Sequence, residues 1–351
     1  MFTINLQNVT KTATTNPQNG VLESEFDQYL DQFEAVKKSI LSRKQGFLDL
    51  PYKTEYTKKI QDFADSIKGQ YEYIVILGIG GSMLGPQCLV DTLDSPSLRK
   101  ERGVDANLKV ITVDNVDPNL IQEKLTEIDL SKSLFLVQTK SGGTPETLAQ
   151  YFYFRNEVEK AGHAAENHLV FVTDPEKGHL RKIANQENIP SFEIPDNVGG
   201  RFSVLSSVGL VVSAILGFNL EKLLEGGRNI IENYFLDREN ETKEVSKDLF
   251  KVALSQYILA KKGKNITVLK PYSSRLKTFS AWYVQLLSES IGKKLDLDGN
   301  EVFAGITPVQ ALGATDQHSQ LQLFKEGPND KLLMFVEVLN HGPEIKIPTL
   351  F

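Results

Sequence analysis

The sequence predicts an α/β protein, built from parallel sheet covered by helices and divided into two successive units. Three observations carry this. Four continuous apolar, β-branched runs, at 73–78, 108–113, 134–139 and 169–174, alternate with helix-length segments, the pattern of βαβ units whose strands are buried on both faces. Loops rich in glycine or hydroxyl side chains follow two of these runs directly. The second half of the chain repeats the same texture with fewer visible strands. At about 150 residues per domain, the 351 residues make roughly two domains, each able to bury a core without a disulfide or metal staple.

In chain order, 21–45 reads as one amphipathic helix, because Phe26, Leu30, Phe33, Val36 and Ile40 recur at three- and four-residue spacing. A second helix, 56–67, stops at Gly69. The four strands follow, with helices at 85–94, 117–128, 144–160 and 177–186 between them, and a short fifth strand at 191–195 completes a doubly wound unit. Beyond it the pattern predicts helices at 203–216, 220–234 and 243–261, a strand at 265–272, a helix at 276–290 and another buried strand at 331–339. The chain then stops without the helix that usually covers such a strand. The expected division is an N-terminal helical segment (1–49), a first domain (50–202) and a second (203–351).

Composition narrows the function classes. With 39 basic and 45 acidic side chains the net charge is −6, which argues against nucleic acid or an anionic membrane as the main partner. A single cysteine, Cys88, excludes an internal disulfide framework and fits a reducing compartment. The five histidines are scattered, so no structural zinc cluster is expected. The N-terminus lacks the apolar core of a signal peptide, and no stretch reaches the ~18 apolar residues of a membrane span. The expectation is a cytoplasmic enzyme.

Five motifs carry candidate chemistry. GIGGSMLGP (78–86) follows the first strand; Gly78, Gly80 and Gly81 permit tight turning, Ser82 adds a hydroxyl, and the next helix begins with free amides, a phosphate-binding arrangement. It lacks both a Walker lysine and the third glycine of a dinucleotide loop, and a plain βα turn would use the same glycines. TKSGGTPET (139–147) follows the third strand and gathers Thr139, Lys140, Ser141, Thr144 and Thr147, with Thr144 as N-cap and Pro145 in the first turn; such donors suit a phosphate dianion, the alternative being a well-capped loop. Both loops fall at carboxyl ends of parallel strands, where open α/β sheets place ligands. With no adenine or ribose signature, they suggest a small phosphorylated metabolite.

In NVGGRFSVLSSVGL (197–210), Arg201 follows Gly199 and Gly200, placed to turn its charge toward a ligand or to pair with an acidic neighbour. In LLSESIGKK (286–294), Glu289 ends an apolar helix; a partly buried carboxylate there suits a general base, and an ordinary solvated one has no such role. In GATDQHSQLQLFKEG (313–327), His318 opens an amphipathic helix as a proton shuttle or as a packing or capping side chain.

Together, in this order and spacing, GIGGSMLGP, TKSGGTPET, GGRFSVLSSVGL, SESIGK and GATDQHSQLQL resemble the glucose-6-phosphate isomerase family, in its shorter bacterial form, over about residues 20–350. The resemblance implies two SIS-type α/β/α sandwich domains and interconversion of glucose 6-phosphate and fructose 6-phosphate without metal or nucleotide cofactor. It assigns Ser82, Thr139, Ser141 and Thr144, with Lys140, to phosphate binding. Arg201 would stabilise the enediolate-like intermediate, Glu289 would carry the proton between C1 and C2, and His318 would help open the ring, entering from the neighbouring subunit of a homodimer. Gly81 and Gly200 match glycines that let backbone approach the substrate. The family extends past Phe351 by about half a domain that supplies a Gln and a Lys, so the second domain is expected to be incomplete and turnover impaired relative to binding. Two further readings are a dual-specificity phosphoglucose/phosphomannose isomerase and a catalytically impaired SIS sugar-phosphate-binding protein.

Overall fold

A computed structural model describes residues 3–235, 243–342 and 345–348. In chain order the elements are α1 (Gln7–Thr15), α2 (Glu23–Leu30), α3 (Phe33–Ser42), α4 (Thr54–Ser66), β1 (Tyr73–Leu77), α5 (Leu84–Leu93), α6 (Pro96–Glu101), β2 (Lys109–Val113), α7 (Pro118–Glu127), β3 (Ser133–Thr139), α8 (Pro145–Lys160), β4 (Leu169–Thr173), α9 (His179–Glu187), β5 (Ser191–Glu193), α10 (Ser207–Ile215) and α11 (Leu220–Phe235). They continue with α12 (Lys243–Lys261), β6 (Ile266–Pro271), α13 (Lys277–Ile291), β7 (Lys293–Leu295), β8 (Glu301–Ala304), β9 (Thr307–Gln310), α14 (Leu321–Glu326) and β10 (Lys331–Val336). Contacts divide the chain into two units, Leu30–Phe250 and Met1–Tyr29 with Lys251–Phe351.

The Leu30–Phe250 unit is built on an all-parallel sheet of order β2-β1-β3-β4-β5, with Tyr73 in register with both Lys109 and Ser133. Alternation sends successive side chains to opposite cores. Ile74, Ile76, Leu134, Leu136, Val170 and Val172 meet α4, α10 and α11 on one face. Val75, Leu77, Phe135, Val137 and Phe171 meet α8 and α9 on the other, through Tyr151, Phe154, Val158, Leu180 and Ala184. The expected α/β/α layering and the five strands hold here to within a residue or two at most ends.

The other unit has a three-stranded parallel sheet of order β10-β6-β9 and an antiparallel pair, β7 with β8. Its α13 packs on β6 and β9. The N-terminal residues are tied into it by two lysines: Lys262 Nζ donates to the carbonyls of Pro17 and Gly20, both at 2.8 Å, and pairs with Glu25. Lys264 Nζ donates to Asn329 O at 2.6 Å and Asn19 Oδ1 at 3.2 Å.

Several expectations change. The single helix at 21–45 is two, broken at Asp31–Gln32. Its apolar stripe changes partner there: Phe26 is buried in one unit, and Phe33 packs on Phe250 and Tyr234 in the other. The helix expected at 203–216 starts at Ser207; 200–205 is a 3-10 turn, and Ser206 Oγ caps α10 by accepting from Val208 N. The boundary expected at 202/203 falls inside the Leu30–Phe250 unit, because α10 lines its core. The strand expected at 331–339 ends at Val336 and is half-buried, with Phe335 58% exposed. Among the described residues no helix is long and apolar enough to cross a membrane.

Candidate active site

Strand order 2-1-3-4-5 has its topological switch point between β1 and β3, because the chain leaves β1 toward β2 and returns on the other side to β3. Loops diverge there and leave a crevice beyond the strands' carboxyl ends. Both candidate phosphate loops emerge at this point, 78–83 after β1 and 140–144 after β3.

Three hydroxyls converge in the second loop. Thr139 Oγ1 lies 2.6 Å from Thr144 Oγ1 and 3.4 Å from Ser141 Oγ, and the Ser141 and Thr144 hydroxyls are 3.3 Å apart. Thr144 occupies the N-cap of α8, as expected, yet its side chain makes no cap bond. The hydroxyl that would satisfy a helix amide is turned into the cluster instead, which weighs against the plain capped-loop reading. The helix dipole and the N-terminal amides of α8 favour an anion here. Lys140 sits beside the cluster with Nζ donating to Asp196 O at 2.8 Å.

The first loop packs against the segment carrying Arg201. A Cβ built on Gly81 would lie 2.3 Å from Gly200 C and 2.8 Å from Arg201 N, so glycine is required at 81 by loop-against-loop packing. Ser203 Oγ donates to Gly200 O at 2.7 Å and Gly81 O at 3.3 Å, clamping the two segments. A Cβ on Gly200, by contrast, would meet nothing within 4 Å. Ser82 closes the 3-10 turn Gly80–Ser82. The Arg201 guanidinium is half-buried and lies 4.5 Å from the Phe202 ring centroid; that ring stacks on Phe47 at 4.6 Å. The structure thus brings Gly81, Ser82, Gly200 and Arg201 together, and sets Thr139, Lys140, Ser141 and Thr144 at the end of the neighbouring strand.

Glu289 and His318 belong to the other unit. Glu289 is on the last turns of α13, exposed rather than partly buried, and accepts a 2.9 Å hydrogen bond from Gln285 Nε2. His318 follows the 3-10 turn Thr315–Gln317 rather than opening a helix. Asp316 shapes that turn, accepting from Leu312 N and Ser319 Oγ at 2.8 Å each. The Ser319 hydroxyl and then the Leu312 amide hold the Asp316 carboxyl below its usual range. Gln317 Nε2 donates to Tyr272 OH at 2.9 Å, fixing the turn near the carboxyl end of β6. The carboxyl-terminal end of α13 lies at the opposite end of the sheet, since a Cβ on Gly305, just before β9, would come 3.7 Å from Gly292 Cα. From that edge to the end of β9 the chain runs roughly 15 Å at about 3.3 Å per residue. Glu289 and His318 of one chain are therefore not brought together.

Sequence reasoning missed the second support of the hydroxyl loop. Gly178 has φ +93°, and a Cβ there would lie 2.3 Å from Ser141 O. None of the five motifs includes it. Its signal is a glycine set directly before the start of α9, in Lys177–Gly178–His179, where the backbone needs a positive φ.

A family model described as phosphoglucose isomerase matches residues 42–341. The chain is 41% identical over 336 residues to a glucose-6-phosphate isomerase of Carboxydothermus hydrogenoformans, covering 94% of this chain and 71% of that one. It is 35% identical over 339 residues to one from Rubrobacter xylanophilus, covering 94% and 74%. Among solved structures it superposes on a hypothetical protein of Thermus thermophilus with TM-score 0.78 at 32% identity, covering 98% of this chain and 79% of that chain. It also superposes on a glucose-6-phosphate isomerase of Chlamydia trachomatis with TM-score 0.66 at 26% identity, covering 80% and 53%. With both candidate phosphate loops in place along a doubly wound sheet, and the family model matching residues 42–341, this chain belongs to the phosphoglucose isomerase family.

Proposed function

We propose that this chain interconverts glucose 6-phosphate and fructose 6-phosphate by ring opening and proton transfer through a cis-enediol. Family membership supplies the reaction class, aldose–ketose isomerisation. The substrate class rests on one observation: the Thr139, Ser141 and Thr144 hydroxyls gather within 3.4 Å of one another at the switch point while Thr144 leaves its helix uncapped. That arrangement suits a phosphate dianion, with Ser82 and Lys140 completing the anchor.

Open space beside Gly200 lets the sugar approach Arg201, whose charge stabilises oxygens that become negative in the enediolate. Glu289 takes the proton from C2 and returns it to C1, with Gln285 orienting its carboxylate. His318 moves the proton that opens the ring. The placement of Glu289 and His318 at opposite ends of one sheet supports a homodimer in which each His318 enters the neighbouring site. The chemistry as written requires no metal and no nucleotide.

A coupled assay run in both directions, with glucose 6-phosphate and fructose 6-phosphate as substrates, tests the reading. Expected is turnover of both; sugar-phosphate binding with no turnover in either direction would leave a binding protein.

A further inference from the structure

The hydroxyl loop does not hold its own shape. Asp174 N donates to Lys140 O at 3.1 Å, and His179 N and Leu180 N donate to Gly142 O at 2.9 and 3.1 Å. Gly178, between them, lies so close that a Cβ would meet Ser141 O at 2.3 Å and Gly142 Cα at 2.8 Å. The turn after β4 is thus the bed on which 140–143 rests, and the first two amides of α9 are both committed to Gly142.

That turn is pinned by Arg181. The side chain is 8% exposed; Nε donates to Asp174 O at 2.9 Å and Nη1 to Ser191 Oγ at 2.8 Å. Nη2 is buried with no hydrogen-bond partner among the described residues. Both acceptors are neutral oxygens, so the guanidinium is buried without a carboxylate beside it among those residues. Such a charge is costly to hold. Asp174 is the hinge of the arrangement: its carbonyl is held by Arg181, its amide holds Lys140, and its carboxylate accepts from Glu176 N and Lys177 N.

We infer that Arg181 is a positioning residue for the substrate's phosphate, acting through Asp174 and Gly178 on the loop that gathers Thr139, Ser141 and Thr144. This rests on the reading of that loop as the phosphate anchor.

The test uses the intact protein, with calorimetry against inorganic phosphate and steady-state kinetics on glucose 6-phosphate. Arg181→Gln should raise the phosphate Kd and the KM by about three- to tenfold, the worth of one hydrogen bond, with kcat changed by less than about twofold, and Gly178→Ala, whose Cβ falls on Ser141 O, should raise both by about tenfold or more. Arg181→Lys, which keeps a donor and the charge, should recover most of the affinity. A merely structural role would lower the melting temperature and the active fraction, so that apparent kcat falls at constant KM. Should Arg181→Gln fail to fold, Ser191→Ala, which removes the acceptor of Arg181 Nη1, decides. The Ser141→Ala/Thr144→Ala double variant separates the two readings. If it weakens phosphate binding while folded Arg181→Gln and Gly178→Ala do not, the role of Arg181 is overturned and the anchor stands. If it too leaves phosphate affinity unchanged, both fall.

Discussion

Adding one methyl group at residue 81 should disable catalysis without touching a polar side chain. In Gly81→Ala the new Cβ falls 2.3 Å from Gly200 C, 2.4 Å from Gly200 O and 2.8 Å from Arg201 N. These are backbone atoms that cannot swing aside, and ordinary contact lies about 1 Å farther out. Either the 200–201 segment or the 80–82 turn must shift by about that much. Overpacking of this kind costs about 1–3 kcal/mol, and a misplacement of about 1 Å at a reacting group costs up to about 10²-fold in rate. We therefore expect kcat/KM to fall by one to two orders of magnitude, with a modest loss of melting temperature, measured by the coupled assay and thermal unfolding. Gly200→Ala is the contrasting variant: its Cβ meets no protein atom, so stability should be unchanged and only ligand-dependent readouts should move. A Gly81→Ala protein with wild-type kcat/KM would show that the packing of these two segments has no bearing on Arg201.

Glu289→Gln should lower kcat by at least ~10²-fold, the lower end of general base catalysis, while sugar-phosphate affinity stays within about tenfold; near-normal turnover removes Glu289 as the base. Ser141→Ala combined with Thr144→Ala should raise the glucose 6-phosphate Kd by about one to two orders of magnitude, read by calorimetry, because hydrogen bonds to a charged group are worth about 1.5–3 kcal/mol. Mixing inactive Glu289→Gln and His318→Ala chains after subunit exchange should restore about a quarter of the sites if His318 acts in the neighbouring subunit of a two-fold dimer; no recovery despite exchange overturns the shared site. Asp316 is held below the ordinary carboxylate range, first by Ser319 and then by Leu312 N. Its contribution to stability is full above the unfolded value of about 3.9 and is lost as pH falls through the lower folded value. Thermal unfolding of Asp316→Ala should therefore show a gap from wild type at neutral pH that narrows below about pH 4; an equal gap at both ends would show that the charge is irrelevant.

The sheet of the Leu30–Phe250 unit was legible because its strands are buried on both faces and read as unbroken apolar runs. In the other unit β6 and β10 were legible as apolar runs, whereas β7, β8 and β9 were not, for different reasons. In β9, Pro308 reads as a strand breaker; the strand lies at a sheet edge, where the missing N–H costs nothing. The β7–β8 pair is short and exposed, although Asp298–Gly299 between them is a turn signal that could have found it. The hydroxyl and glycine grouping at 139–147 was readable as an anion loop because its chemistry is concentrated in sequence. Its support from Asp174, Gly178 and Arg181 is some thirty to forty residues away and is made mostly of backbone contacts, which leave little mark on side-chain composition. The exposure of Glu289 was equally hidden, since an apolar helix face says which residues are buried but not where the burial stops.

In the proposed reaction the phosphate contacts and the proton-transfer groups are different residues, which decides how binding energy reaches the reacting carbons. Every candidate anion donor, Ser82, Thr139, Lys140, Ser141, Thr144 and Arg201, belongs to the Leu30–Phe250 unit, while Glu289 and His318 both belong to the other. The phosphate is remote from C1 and C2, so its contacts accelerate the reaction only by fixing the sugar for proton transfer. Changes to the anchor loop should then appear chiefly in affinity, and changes at Glu289 or His318 chiefly in turnover. A substitution such as Gly81→Ala is different in kind. It disturbs the seam between the first phosphate loop and the Arg201 segment, so it should move affinity and turnover together, and that joint loss distinguishes a shifted scaffold from a deleted functional group.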